Sequence, residues 1–216
     1  MIVADFRYYK CWEALRPQFS HCTRQWQPHV DRKKFVLLSP GPSPLKGMDV
    51  VLKTAKLLLK WTDIDFEWRI YGATREQLER HQRKWNIDSD TCQITCLGTL
   101  DEMQVAKELL DCDLYVHLAY IDNSPNAVCE AMCLGVPIIT TNVGGIPSLI
   151  ENDKTGVLVP ANEPWMTAYS IVRLFNNTSK MMEFGKQAHD VAVVRHNEKN
   201  IQSSLCDVYS SIISNR

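Results

Sequence analysis

Six short apolar runs alternate with segments of helical periodicity, and this alternation limits the fold more than any other property of the 216 residues. The runs at 35–38, 66–71, 93–97, 113–118, 136–140 and 156–159 read as strands. Between and after them, apolar residues recur at helical spacing, as in Met48, Val51, Leu52, Ala55, Leu58 and Leu59. Strands that take turns with helices predict a parallel sheet covered on both faces, a doubly wound α/β fold of about six strands followed by C-terminal helices. No linker divides residues 34–216, so that span reads as one domain, preceded by an irregular arm at 1–33. In a sheet ordered 3-2-1-4-5-6, ligands bind in the crevice between the carboxyl ends of the first and fourth strands.

Two polar loops meet there. The first strand runs into Ser39-Pro40-Gly41-Pro42-Ser43-Pro44, too proline-rich for a regular element, and then into Lys46-Gly47. A lysine at a helix start opposes the dipole, which favours an anion beside it. The fourth strand runs into Asp122-Asn123-Ser124. Ser124 is expected as the N-cap of the next helix, with Pro125 in its first position and Gly135 just past its end. The N–H groups of Asn126 and Ala127 then face outward as an anion site. Glu130 follows Asp122 by eight residues, and carboxylates beside a phosphate site suit sugar hydroxyls. The plainer reading, a capped helix with solvated acids, stays open for each residue taken singly.

Composition removes several classes. A net charge of −1 gives no bulk attraction to nucleic acid or an anionic membrane. No window has the ~18 uninterrupted apolar residues of a membrane span, and residues 1–10 hold no signal-like apolar run, so a soluble cytoplasmic protein is expected. The eight cysteines form no C-x-x-C pair and no Cys/His cluster of zinc spacing; they read as buried thiols, Cys92 and Cys96 in a strand, Cys129 and Cys133 on a helix. His117, near the acid loop, reads as a satisfied, partly buried histidine. The arm interleaves basic and aromatic residues at Phe6-Arg7-Tyr8-Tyr9-Lys10 and carries Trp12, Leu15, Phe19 and Trp26; docking of its aromatics on the domain is expected over contact with nucleic acid. The first strand lacks G-x-G-x-x-G and a Walker A loop after it, and no G-x-S-x-G elbow occurs. What remains is an anion held by Lys46 and a helix start, with two acids for hydroxyls. A nucleoside diphosphate carrying a sugar fits that inventory.

The run Asp122 to Gly145, with Ile146-Pro147, Leu149-Ile150 and Thr155-Gly156-Val157-Leu158-Val159, resembles the donor-binding half of group 1 (family 4) glycosyltransferases of GT-B fold. Pro44-Leu45-Lys46-Gly47 resembles that family's lysine–glycine loop, and Leu97-Gly98 its base-binding strand end. The resemblance spans about residues 35–215 and implies a Rossmann-like domain that binds a nucleoside diphosphate sugar, with no cofactor and no metal. It implies diphosphate on Lys46, ribose on Glu130 and a donor contact at Gly41. Backbone groups of Asn123, Ser124, Asn126 and Ala127 would meet phosphate and sugar, and Leu97 and Gly98 the base. Asp122 stands where the family's first glutamate faces the transferred sugar, the one candidate catalytic residue, and it is one methylene shorter. Pro125 takes the place of a glycine, and Pro40 or Gly41 that of an arginine. The same resemblance makes residues 1–33 the connector from an acceptor domain. A chain carrying the donor half alone is expected to bind a nucleotide sugar and to need a separate acceptor-domain chain, or a second copy, at its open interdomain surface. The alternative is a non-catalytic subunit that docks on another glycosyltransferase chain. Polysaccharide assembly is the family's usual setting.

Overall fold

The structure, a computed structural model, describes residues 9–29, 31–41, 43–87 and 93–214. Its strands are β1 (Phe35–Pro40), β2 (Phe66–Tyr71), β3 (Ile94–Gly98), β4 (Leu114–His117), β5 (Ile138–Thr141) and β6 (Val157–Val159). All pair in parallel, in the order β3-β2-β1-β4-β5-β6. The helices are α1 (Pro17–Ser20), α2 (Met48–Trp61), α3 (Arg75–Trp85), α4 (Glu102–Asp111), α5 (Asn126–Cys133), α6 (Pro164–Phe175), α7 (Thr178–Arg195) and α8 (Glu198–Ser214). Helices cover both faces of the sheet, as the alternation predicts. None of those described is long and apolar enough to cross a membrane.

Burial follows strand position. β4 and β5 are buried at every residue and β1 at all but its last, because central strands meet helices on both sides. β2 alternates buried and half-buried residues, and the edge strand β3 has none fully buried. The β1–β4 junction is tied by side chains as well as by the ladder. The indole N–H of Trp68 donates to Ser39 Oγ at 2.9 Å, and Ser39 Oγ donates to the Val116 carbonyl at 2.6 Å. Helix starts follow local chemistry: Thr74 with Gln77, and Asp101 with Gln104, form reciprocal capping boxes on α3 and α4.

One cap differs from expectation. Pro125, not Ser124, occupies the N-cap of α5, and no side chain caps that helix. The Pro125 carbonyl accepts from Val128 at 3.0 Å and Cys129 at 3.2 Å. Pro125 itself is extended, with φ −69° and ψ 103°, so the helix begins at Asn126 and Ser124 lies one residue too early to cap it.

The arm is built into the core. Leu15, Phe19 and Trp26 are buried, and the Trp26 indole donates to the Cys112 carbonyl at 2.6 Å while its backbone N–H donates to Leu134 at 2.8 Å. Of the basic–aromatic run at 6–10, only Tyr9 and Lys10 lie within the described residues, and both are exposed. The thiols divide. Cys112, Cys129 and Cys133 are buried, whereas Cys11 and Cys206 are exposed, because neither the start of the arm nor α8 presents that side chain to the core. Burial pushes the Cys129 and Cys133 thiols up to about 12. Cys92 lies outside the described residues. α8 has no buried residue, and Tyr209, Ile212 and Ile213 on it are exposed.

Candidate functional site

The two polar loops meet at the carboxyl ends of β1 and β4. From the β1 side, a 3₁₀ turn at Pro44–Lys46 precedes Gly47, which adopts φ 72° and opens α2. A Cβ on Gly47 would sit 1.9 Å from the Leu118 carbonyl oxygen, so only glycine lets this loop press against the end of β4. The contact is reinforced by the Tyr120 N–H, which donates to the Leu45 carbonyl at 2.8 Å. From the other side, a Cβ on Gly145 would sit 1.9 Å from the Asn123 carbonyl oxygen, so the acid loop lies directly on the turn that follows β5.

This packing joins Lys46 to Asp122. The Lys46 ammonium donates to Asp122 Oδ2, and the same oxygen meets His117 Nε2 at 3.1 Å. Sequence reasoning assigned lysine and acid to separate parts of a ligand; the structure pairs them. A lysine has three donors, so two remain for an anion. Asp122 Oδ1 has no hydrogen bond among the described residues. Burial alone would raise the Asp122 pKa, but the hydrogen bonds from His117 and Lys46 outweigh it and hold the carboxyl below its usual range. His117 is fully buried, its Nδ1 has no partner among the described residues, and burial pushes its pKa down despite the bond to Asp122. It is therefore more deeply buried than expected and only half satisfied.

A pH dependence follows. A histidine whose folded pKa lies below the unfolded value binds fewer protons folded than unfolded, so stability falls as pH drops below about 6.5, the ordinary imidazole value. His196, also pushed down by burial, acts in the same direction. The thermal midpoint is expected to fall between pH 7 and the ordinary carboxylate range, and His117→Gln to flatten that slope. Equal slopes for both proteins would show that His117 titrates alike in the folded and unfolded chain.

The free donors expected at α5 are present: the N–H groups of Asn126 and Ala127 make no hydrogen bond among the described residues. One turn further along, Glu130 is buried at 5% exposure and its Oε1 accepts from Arg16 Nη2 at 2.7 Å and Nε at 3.2 Å. Nothing in the sequence points to Arg16, which lies 114 residues before its partner. Beside them, the Tyr71 and Tyr115 hydroxyls are 3.0 Å apart. The β2 and β3 ends form another wall. The ladder matches Ile70 with Cys96 and Tyr71 with Gly98, so Leu97 is an extra, bulged residue on β3. Gly98 is bonded through both backbone groups, its N–H to Ala73 at 3.0 Å and its carbonyl to Gly72 at 2.7 Å. The Gly41 N–H is likewise taken by the Tyr71 carbonyl at 2.9 Å, so Gly41 offers no free N–H donor. Among the described residues, no group of three or more His, Cys, Asp or Glu is placed to hold a metal ion.

The crevice combines one lysine, two acids with a spare oxygen each, and a helix start with open donors. The same fold recurs among solved structures. Anabaena Alr3699/HepE in complex with UDP and glucose superposes with a TM-score of 0.70 at 20% identity, over 83% of this chain and 49% of that one. The C-terminal domain of the group 1 family glycosyl transferase LpcC from Francisella tularensis gives 0.63 at 18% identity, over 87% of this chain and 96% of that one. In sequence, the D-inositol 3-phosphate glycosyltransferase of Paenarthrobacter aurescens (strain TC1) is 26% identical over 178 residues, which cover 82% of this chain and 44% of that protein's length. The chain thus spans less than half of that curated relative. The family model for glycosyl transferases group 1 matches residues 23–191, and the chain belongs to that family.

Proposed function

We propose that the crevice between the β1 and β4 ends binds a nucleoside diphosphate sugar as the donor for glycosyl transfer to a saccharide or lipid-linked acceptor. The observation that carries this reading is the convergence of Lys46 and Asp122 beside the open N–H groups of Asn126 and Ala127. In this reading the two spare donors of Lys46 and the start of α5 hold the diphosphate. Glu130 accepts from ribose hydroxyls, and the base lies against Leu97 and Gly98. Asp122 faces the transferred sugar through its free oxygen. The reaction needs no cofactor or metal in this reading. The UDP and glucose bound by Anabaena Alr3699/HepE support the choice of ligand class.

Transfer requires donor and acceptor held together in one closed cleft, a constraint worth several orders of magnitude in rate. The residues named here form the donor wall, so the chain alone is expected to bind donor without efficient turnover. An acceptor-bearing domain or chain supplies the other wall. The exposed apolar side chains of α8 favour such a contact, and they equally suit a subunit that docks without catalysis.

Calorimetric titration with UDP, GDP and their sugars tests the site. At least one is expected to bind, and Lys46→Ala to weaken that binding roughly tenfold or more, the effect of losing a charge-assisted hydrogen bond. Absence of binding for every one of them would sink the donor-site reading. Unchanged affinity in Lys46→Ala would move the phosphates elsewhere.

A further inference from the structure

We infer that Arg16 is a positioning residue for ribose recognition: it grips one oxygen of Glu130 and aims the other at the ribose hydroxyls. The inference rests on the donor reading above and extends it to a segment before the first strand of the sheet.

The geometry is one-sided. Arg16 Nη2 and Nε both donate to Glu130 Oε1, at 2.7 and 3.2 Å. Oε2 has no hydrogen bond among the described residues. A plug competing with ligand would be expected to engage both oxygens in the bidentate manner that guanidinium and carboxylate allow. Here one oxygen carries the structural bond, and the other keeps its acceptor capacity. A buried acid side chain such as Glu130 would otherwise turn toward whatever donor it found.

Arg16 is itself held in place. Its neighbours Leu15 and Phe19 are buried in the core. The backbone N–H groups of Phe19 and Ser20 donate to the Arg16 carbonyl at 2.9 and 3.2 Å. The guanidinium lies 5.1 Å from the Phe19 ring centroid, with Glu102 at 3.8 Å on another side. An arginine fixed this way sets the direction of the Glu130 carboxylate, as a supporting hydrogen bond does for a metal-binding histidine.

The test compares ligands that differ only in the ribose hydroxyls. UDP and GDP are titrated into the full chain, and the tighter of the two is compared with its 2′,3′-dideoxy form. The ratio of the two affinities on one protein cancels losses of folded material. The wild-type chain is expected to favour the ribose form about tenfold or more. Arg16→Ala is expected to bring the ratio to about two or less, and Arg16→Lys, which returns a cation to the same place, to restore part of it. An unchanged ratio in Arg16→Ala overturns the inference, as does tighter binding of the ribose form by that variant, which would make Arg16 a plug. A wild-type ratio near one takes ribose away from Glu130, and the inference goes with it. If neither UDP nor GDP binds, the donor reading itself fails.

Discussion

Gly47→Ala is expected to cost about 2–5 kcal/mol of stability and to abolish measurable nucleotide binding. Two costs combine. Alanine at φ 72° is in the left-handed region, a penalty of roughly 1–2 kcal/mol. Its Cβ would also meet the Leu118 carbonyl oxygen at 1.9 Å, and a backbone atom in a buried strand end cannot step aside, which adds about 1–3 kcal/mol. The loop relieves the clash by lifting away from β4. Lys46 then leaves Asp122, and the lysine no longer faces the start of α5. The thermal unfolding midpoint is expected to fall by roughly 4–20 °C for a domain of this size. Calorimetry on protein still folded at low temperature separates binding from stability. A folded Gly47→Ala chain with wild-type affinity would show that the lysine loop need not sit against β4.

Trp26→Ala is expected to cost about 3–5 kcal/mol of stability, the loss of a buried aromatic side chain. Trp26 is 5% exposed, and its indole N–H is the partner of the Cys112 carbonyl at the entry to β4. Trp26→Phe keeps most of the apolar area and orphans that carbonyl, so about 1–3 kcal/mol is expected. Denaturant unfolding measures both. A loss below about 1 kcal/mol for Trp26→Ala would mean that the arm is an appendage rather than part of the core.

Where a local signal exists, the sequence was legible to the residue. The strand at 66–71 has the boundaries expected, because Gly72 directly after it marks the turn out of the sheet. The expected sheet order holds, and with it the meeting of the two polar loops, whereas the pairing of Lys46 with Asp122 came only from the structure. Errors arose where neighbours compete. At Ser124-Pro125 the proline stays extended instead of taking the first helical position, so the helix starts one residue later than the serine signal implies. Leu97 reads as ordinary strand, and its bulge exists only relative to β2. Arg16 and Glu130 lie on elements that the fold alone brings together, so no spacing rule reaches that pair.

The ladder between β1 and β4 has a consequence for the order of events during synthesis. It pairs Leu37 with Leu114, so closing it joins residues 77 positions apart (114 − 37). The loop entropy of that closure must be overcome before any contact across the junction is made, which makes it a slow step. The lysine loop emerges from the ribosome early but has nothing to face until β4 and the acid loop follow. The crevice is therefore a late product of folding: both of its walls acquire their geometry in the single event that joins the two halves of the sheet.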